Sequence, residues 1–346
     1  MSARTLLFTA TREPSYVRNL LVRRALAYFG QLREATSPWP AYPLRMAAVG
    51  GQLLLRRPKA DLVWVGFFGQ PLVPIVKRLY PGRPVVLDAF VSAFDTLCLD
   101  RQTFKTDSPG GLLARLLDYW AFRQADVVVV DSQAQGRFLT EEFGLEPTKV
   151  VVHRLGYDEQ IFRPLPSSAE AASCVFFYGS FLPLHGVETI LAAAKLLASD
   201  PRVHFVIGGP RRHKGTDTPP NVRFVGYIPY DRLPEFIANA HICLAGPFGT
   251  TPKADRVITG KTYQFLACRR ATIVGDNQAN RELFVPGRDA LFVPRGDPEG
   301  LAEAIHFLAH HPSAREDLAE AGSRRVRPFD TAGQVRQLGW IRDLLG

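Results

Sequence analysis

Lys253–Glu282 reads KADRVITGKTYQFLACRRATIVGDNQANRE, and the order of its polar, helical and strand-like pieces decides the fold. Arg256, Lys261 and Gln264 precede or open a helical pattern (Tyr263, Phe265, Leu266, Cys268), and the β-type run Ala271–Val274 follows at once. The free N–H groups and positive dipole end of such a helix start favour anions. A lysine beside it is a phosphate grip. From spacing alone, a solvated basic face made of Lys253, Arg256 and Lys261 stands as an equal alternative.

Outward from that stretch, strand-like and helix-like segments alternate along the whole chain. The first series places strands at Thr5–Thr9, Gln31–Ala35, Asp61–Val65, Pro84–Asp88, Asp126–Val130 and Lys149–Val152. The second places them at Val175–Tyr178, Val203–Ile207, Val222–Val225, Ile242–Ala245, Ala271–Val274 and Ala290–Val293. Continuous Val-rich runs such as Val127–Val130 suit parallel strands covered on both faces, so each series predicts a doubly wound α/β sheet. The proline-containing, polar interval Gly156–Ser173 predicts a linker, and Val335, Leu338, Ile341, Leu344 and Leu345 predict one amphipathic helix over Thr331–Leu345.

The 346 residues suit two such domains, each able to bury its own core, and 46% apolar with 22% charged residues is ordinary for a folded chain. Leu62–Val76, the longest apolar stretch, is broken by Gln70, Pro71 and Pro74 and is too short for a bilayer. With strand-like residues from Thr5 and no long apolar leader, the sequence predicts a cytoplasmic protein. Cys98, Cys174, Cys243 and Cys268 stand singly, without zinc spacing, and read as reduced, buried thiols. A net charge of +9 favours nucleotide phosphates, anionic lipid headgroups or nucleic acid without choosing among them. The absence of G-x-G-x-x-G at the start and of G-x-x-x-x-G-K-[ST] anywhere argues against a nicotinamide dehydrogenase or a P-loop NTPase.

Gly179 ends an apolar run and Gly186 opens a helix-like stretch, so backbone between them can approach a ligand closely; taken alone, glycine after a strand is also a plain turn. The run from Val175 through Gly179, Ser180, His185 and Gly186 to Leu191 resembles the strand, glycine loop and helix that open the donor domain of GT-B glycosyltransferases of family 4. Lys261-Thr-Tyr-Gln264-Phe-Leu-Ala267, then Ala271–Asp276 and Arg281-Glu282-Leu283, is similar to that family's donor-site segment. Weaker matches are Gly156–Asp158 with Phe162–Pro164, and Pro294–Pro298. The ordered set covers roughly residues 125 to 310.

The resemblance implies two Rossmann-like domains facing a central cleft. They comprise an acceptor-binding domain over 1–155, a linker over 156–173, a donor-binding domain over 174–330, and a helix over 331–346 that returns to the first domain. It implies a retaining hexosyl transfer from a UDP- or GDP-type sugar to the hydroxyl of a glycan, lipid-linked or small-molecule acceptor, with no nucleic-acid partner. Arg256 and Lys261 become the catalytic candidates. Gly179, Ser180, His185, Gly186, Lys253, Gln264 and Glu282 become the donor-binding ones. No Asp-x-Asp motif occurs, so neither a metal nor another cofactor is expected, and the cations would neutralise the leaving diphosphate.

Several positions depart from the family. Where many members carry two glutamates, this chain has Arg256 and Gln264, and where an arginine and a lysine are common in the glycine loop it has Ser180 and His185. These departures keep a non-catalytic nucleotide-sugar or carbohydrate-binding relative in view. A nucleotide-sugar 2-epimerase is a further alternative, disfavoured because it needs carboxylates and a histidine around the sugar. On the acceptor side, Asp88 and Asp95 follow a strand and are candidates for acceptor hydroxyls, or equally helix caps. Arg12, in the basic run Arg12–Arg24, reads either as part of an anionic-membrane or lipid-acceptor contact or as one face of an ordinary packed helix. His153 and His185 read as neutral hydrogen-bonding residues rather than bases.

Overall fold

The computed structural model describes residues 4–11, 15–166, 173–210 and 218–346, in two compact units. One comprises Met1–Gly156 with Phe329–Gly346, the other Tyr157–Pro328.

In the first unit, β1 (Thr5–Thr9), β2 (Gln31–Ala35), β3 (Leu62–Val65), β4 (Val85–Asp88), β5 (Val127–Val130) and β6 (Val150–Val152) form one sheet. Its order is β2-β1-β3-β4-β5-β6 and all its pairings are parallel. Alternate side chains point to opposite faces of a strand. Leu7, Val63, Val65, Leu87 and Val128 therefore enter one apolar layer, while Leu6, Phe8, Leu62, Trp64, Val86 and Val129 enter the other.

The second layer is closed by the C-terminal residues Leu338 and Ile341, both fully buried in it. The single helix expected over Thr331–Leu345 is instead two, Thr331–Gln337 and Ile341–Leu345. The break falls at Leu338-Gly339-Trp340, where glycine disfavours helix continuation and Trp340 turns toward Trp64, with ring centroids 6.3 Å apart.

The second unit repeats the plan with β7 (Ser173–Tyr178), β8 (Val203–Gly208), β9 (Val222–Gly226), β10 (Ile242–Leu244), β11 (Ala271–Gly275) and β12 (Leu291–Val293). The order β12-β11-β10-β7-β8-β9, again all parallel, puts the first strand of the unit at the centre. The strand order reverses between β7 and β10. Ligands of open parallel sheets bind outside the carboxyl ends of strands at such a reversal.

Of the interval expected as a linker, residues 157–165 pack on the second unit. Phe162 is buried edge-on against Tyr230 with ring centroids 5.2 Å apart, and Arg270 donates to the Leu165 carbonyl at 3.1 Å. Residues 167–172 lie outside the described set. Among the described residues no helix is long and apolar enough to cross a membrane, and all four cysteines are buried thiols.

Candidate functional site

At the end of β7 the backbone runs through Gly179 and Ser180 into a short turn, Pro183–His185, and then through Gly186 into the helix Val187–Leu196. Gly186 has φ +63°, and a Cβ there would meet the backbone of Phe248 and Gly249 at 2.5 Å. The loop after β10 presses backbone against backbone on the loop after β7, joined by Gly249 N–H to the Leu184 carbonyl at 3.0 Å. Only glycine fits both demands at position 186.

Lys253 and Arg256 sit in and just after the 3-10 turn Pro252–Asp255, and Lys261 lies in the first turn of the helix Gly260–Ala267. Asn277 ties this segment together. It caps the helix Gln278–Leu283 by accepting from Asn280 N–H at 2.6 Å, and its amide donates to the carbonyls of Ala254 and Val257 at 2.6 and 3.0 Å. Arg295 adds an ion pair to Asp255 at 3.2 Å. Neither residue belongs to the candidate set read from the sequence. An asparagine before a helix is a cap signal, but the two carbonyls it holds are more than nineteen positions earlier and leave no local trace.

Lys261 is buried, with its ammonium 5.0 Å from the centroid of the Phe177 ring. Among the described residues no carboxylate lies within ion-pair distance of it. Burial alone carries its pKa from 10.5 down to about 7. Beside it, burial and the Lys261 ammonium hold the His185 imidazole well below its ordinary value, so the ring is neutral. His185 Nδ1 accepts the Leu182 N–H at 3.3 Å, which puts the proton of the neutral ring on Nε2 as a donor. The helix start, a chargeable lysine and a neutral imidazole donor therefore meet at the strand reversal. That combination suits a diphosphate, whose negative charge would restore the lysine's own.

Gln264 is buried and its Oε1 accepts the Tyr178 hydroxyl, which takes one of the two lone pairs expected to be open to a ribose hydroxyl. Glu282 is half-buried on the helix Gln278–Leu283, and Ser180 is exposed. A surface depression lined by Pro164, Leu165, His241, Arg270 and Arg315 contains none of these residues.

In the first unit the two aspartates expected at acceptor hydroxyls are both inside. Asp88 forms a bidentate ion pair with the fully buried Arg18, at 2.8 and 3.1 Å, and Arg18 also donates to the His153 carbonyl at 2.8 Å. Asp88 is thus engaged in a buried ion pair. Asp95 is fully buried at the start of the π-helix Asp95–Asp100. The loop leading to it is fixed by Asp118, which accepts from Ser92 Oγ, Phe94 N–H, Ala93 N–H and Gln70 Nε2 at 2.7 to 3.1 Å. Arg12 lies outside the described residues. The remainder of its basic run is not a uniformly solvated face, since Arg18 points inward and Arg23 pairs with Glu34 at 2.7 Å. His153 is fully buried and held neutral by burial and by Arg18.

Two six-stranded parallel sheets in separate units define the GT-B class of α/β proteins. Residues 4–156 match the glycosyl transferase 4-like domain and residues 188–337 the glycosyl transferase-like family, and the chain belongs to these group 1, family 4 glycosyltransferases. Among curated proteins it is similar to D-inositol 3-phosphate glycosyltransferase of a Nocardioides species, 25% identical over 248 residues, 62% of this chain and 52% of that one. It is also similar to mannosylfructose-phosphate synthase of Agrobacterium fabrum, 22% identical over 248 residues, 63% and 52% of the two chains. The chain spans about half the length of the curated relatives it matches. Sucrose-phosphate synthase from Thermosynechococcus elongatus shares the fold at TM-score 0.77 with 16% identity, covering 99% of both chains. HepE of Anabaena, in complex with UDP and glucose, shares it at 0.72 with 16% identity, covering 98% and 99%.

Proposed function

We propose that the chain transfers a hexose from a nucleoside-diphosphate sugar to an acceptor hydroxyl with retention of configuration and without a metal at the reaction centre. The observation that carries this reading is Lys261, a buried cation held at a strand reversal with no carboxylate partner among the described residues. Family membership supports the reaction class, and a structural neighbour holding UDP and glucose supports the donor chemistry.

Charge grows on the departing diphosphate as the anomeric carbon becomes oxocarbenium-like. Lys261, His185 Nε2–H and the N–H groups opening the helix Gly260–Ala267 would stabilise that charge, with Lys253 and Arg256 on the adjoining turn. The departing phosphate then takes the acceptor proton on the same face, which calls for no protein base, in agreement with two neutral histidines. Replacing Lys261 by alanine and measuring turnover with UDP- and GDP-hexoses tests the assignment. A folded variant with near-normal turnover overturns it.

One observation favours a second reading. Gln264 is a neutral amide with one lone pair of its oxygen taken by Tyr178, so the ribose and sugar hydroxyls meet a weaker partner than a carboxylate would supply, which suits a binding protein without turnover. A donor-hydrolysis assay separates the two.

The acceptor is proposed to be lipid-linked or presented at an anionic membrane, and besides Arg12–Arg24 the helix Pro109–Gln124 offers a contact. Leu112, Leu113, Leu116 and Trp120 lie opposite its buried face and are half or more exposed, with Arg123 one turn beyond Trp120 and Lys105 beside the helix start. An apolar stripe edged by cations on a chain of charge +9 matches an anionic interface.

A further inference from the structure

Far along the second unit from Lys261, three ligand-type side chains converge on one point. His306 and His310 stand one turn apart on the helix Pro298–His310, so both rings leave the same face. The rings stack with centroids 4.1 Å apart and 25° between planes. Both Nε2 atoms approach the same oxygen, Asp200 Oδ2, at 2.9 Å from His310 and 3.9 Å from His306. The donor atoms of all three residues lie within 4.8 Å of one another.

Asp200 is held for this geometry. It lies in the turn after the helix Val187–Leu196, where its N–H donates to the Leu197 carbonyl at 3.1 Å, while Oδ1 accepts the Arg202 N–H at 2.9 Å. Oδ2 is the oxygen left for the histidines. Around a tetrahedral ion with bonds of about 2.1 Å, ligand atoms stand roughly 3.4 Å apart, between the two separations seen here.

We propose that Asp200, His306 and His310 bind one divalent first-row transition ion of the zinc type, with solvent completing its coordination. Two imidazole nitrogens and one carboxylate oxygen suit zinc, cobalt, nickel or copper and are a poor set for magnesium or calcium. His306 is more than half exposed, so the ion reaches the site directly from water. Arg202 donates to His310 Nδ1 at 3.2 Å, which places the ring proton on Nε2 facing Asp200. Loading moves that proton through solvent to Nδ1, and the exposed Arg202 side chain swings away.

The position of the site assigns its role. The helix Val187–Leu196 starts at Gly186 beside the glycine loop, whereas Asp200 follows its other end, and His306 and His310 occupy the last turns of a helix that packs on it. An ion here clips together the distal ends of two helices and touches no group assigned to sugar transfer. It is a staple, and it stands or falls independently of the transferase reading.

The test uses the untagged full chain, stripped with chelator and desalted. Cobalt(II) should bind with a stoichiometry of one and give the intense visible d–d bands of a tetrahedral site, and zinc(II) but not magnesium(II) should raise the melting temperature. His306→Gln, at an exposed position that spares folding, should weaken cobalt binding by about 10-fold or more, and His306→Gln with His310→Gln should abolish the bands. The proposal is overturned if cobalt gives no such spectrum, if the double variant binds as the parent does, or if thiolate charge-transfer bands place the ion on cysteine.

Discussion

Arg18 in the first unit and Lys261 in the second are both withdrawn from solvent, yet among the described residues only Arg18 has a counter-ion. The guanidinium lies against both oxygens of Asp88 and keeps its charge within the core. The ammonium lies over the Phe177 ring with no carboxylate, and burial brings it to the edge of neutrality at about 7. A buried cation paired internally is architecture, since removing either partner leaves an uncompensated charge. A buried cation left unpaired at a strand reversal is a vacancy for an anion from outside.

The largest expected effect breaks the paired side. Asp88→Ala should destabilise the first unit by about 3–5 kcal/mol, read as a drop in its calorimetric unfolding transition. Arg18→Met with Asp88→Leu should recover most of that loss. An unchanged transition in Asp88→Ala would show that the pair is incidental.

The unpaired side should respond in the opposite sense. Lys261→Met should lower turnover by on the order of 10²-fold while raising the melting temperature of the ligand-free protein, because a lone buried ammonium is replaced by an apolar chain. A variant that loses stability as well as activity would mean that Lys261 holds the fold rather than the diphosphate.

Protons sharpen the contrast further. The folded pKa of Lys261 is lowered, so the ammonium costs the free protein stability below about pH 7, and that cost fades as pH rises toward the unfolded value near 10.4. An anion that recharges the lysine must bring a proton with it. Binding of UDP at pH 8 should take up close to one proton, measured by calorimetry in buffers of different ionisation enthalpy, and affinity should fall up to about tenfold per pH unit above 7. The uptake should vanish in Lys261→Met. Uptake that persists there would assign the proton to another group.

Two smaller effects complete the series. Transfer should persist in excess chelator, whereas complete loss restored by Mg²⁺ or Mn²⁺ would give the neutralising role to a metal in place of Lys261. Anionic but not zwitterionic vesicles should pellet the protein with a free energy of about 1 kcal/mol per basic residue at the surface, weakened by salt. Leu113→Glu with Leu116→Glu should abolish it, and equal pelleting of that variant would remove the helix Pro109–Gln124 from consideration.

How much of this is legible in the sequence follows from how local each feature is. The strand ends fall within one or two residues of the periodicity reading, because alternation and Val-rich runs are properties of adjacent residues. The same holds for the helix opening at Lys261. Arg18 reads as solvent-facing until Asp88 is placed beside it, and 70 positions separate them. Gln264 reads as an open amide until Tyr178, 86 positions earlier, takes one lone pair of its oxygen. Asp118 carries no sequence sign at all, since the N–H groups it satisfies come from a loop some 24 residues before it. Pairings across a sheet or between loops are fixed by topology, and one-dimensional patterns do not encode them.

The C-terminal residues have a consequence for the order in which the chain matures. Leu338 and Ile341 close a layer that begins with Leu6 and Phe8, so the first unit is assembled from residues on both sides of the second in the chain. The second unit, contained within 157–328, has all its parts before the first does. Biogenesis therefore runs against sequence order: the later-encoded unit reaches its final state first, while the earlier one holds an uncovered apolar sheet face, the surface a chaperone would recognise. A chain released short of Phe329 would keep the Lys261 site and lose the lid of its other half.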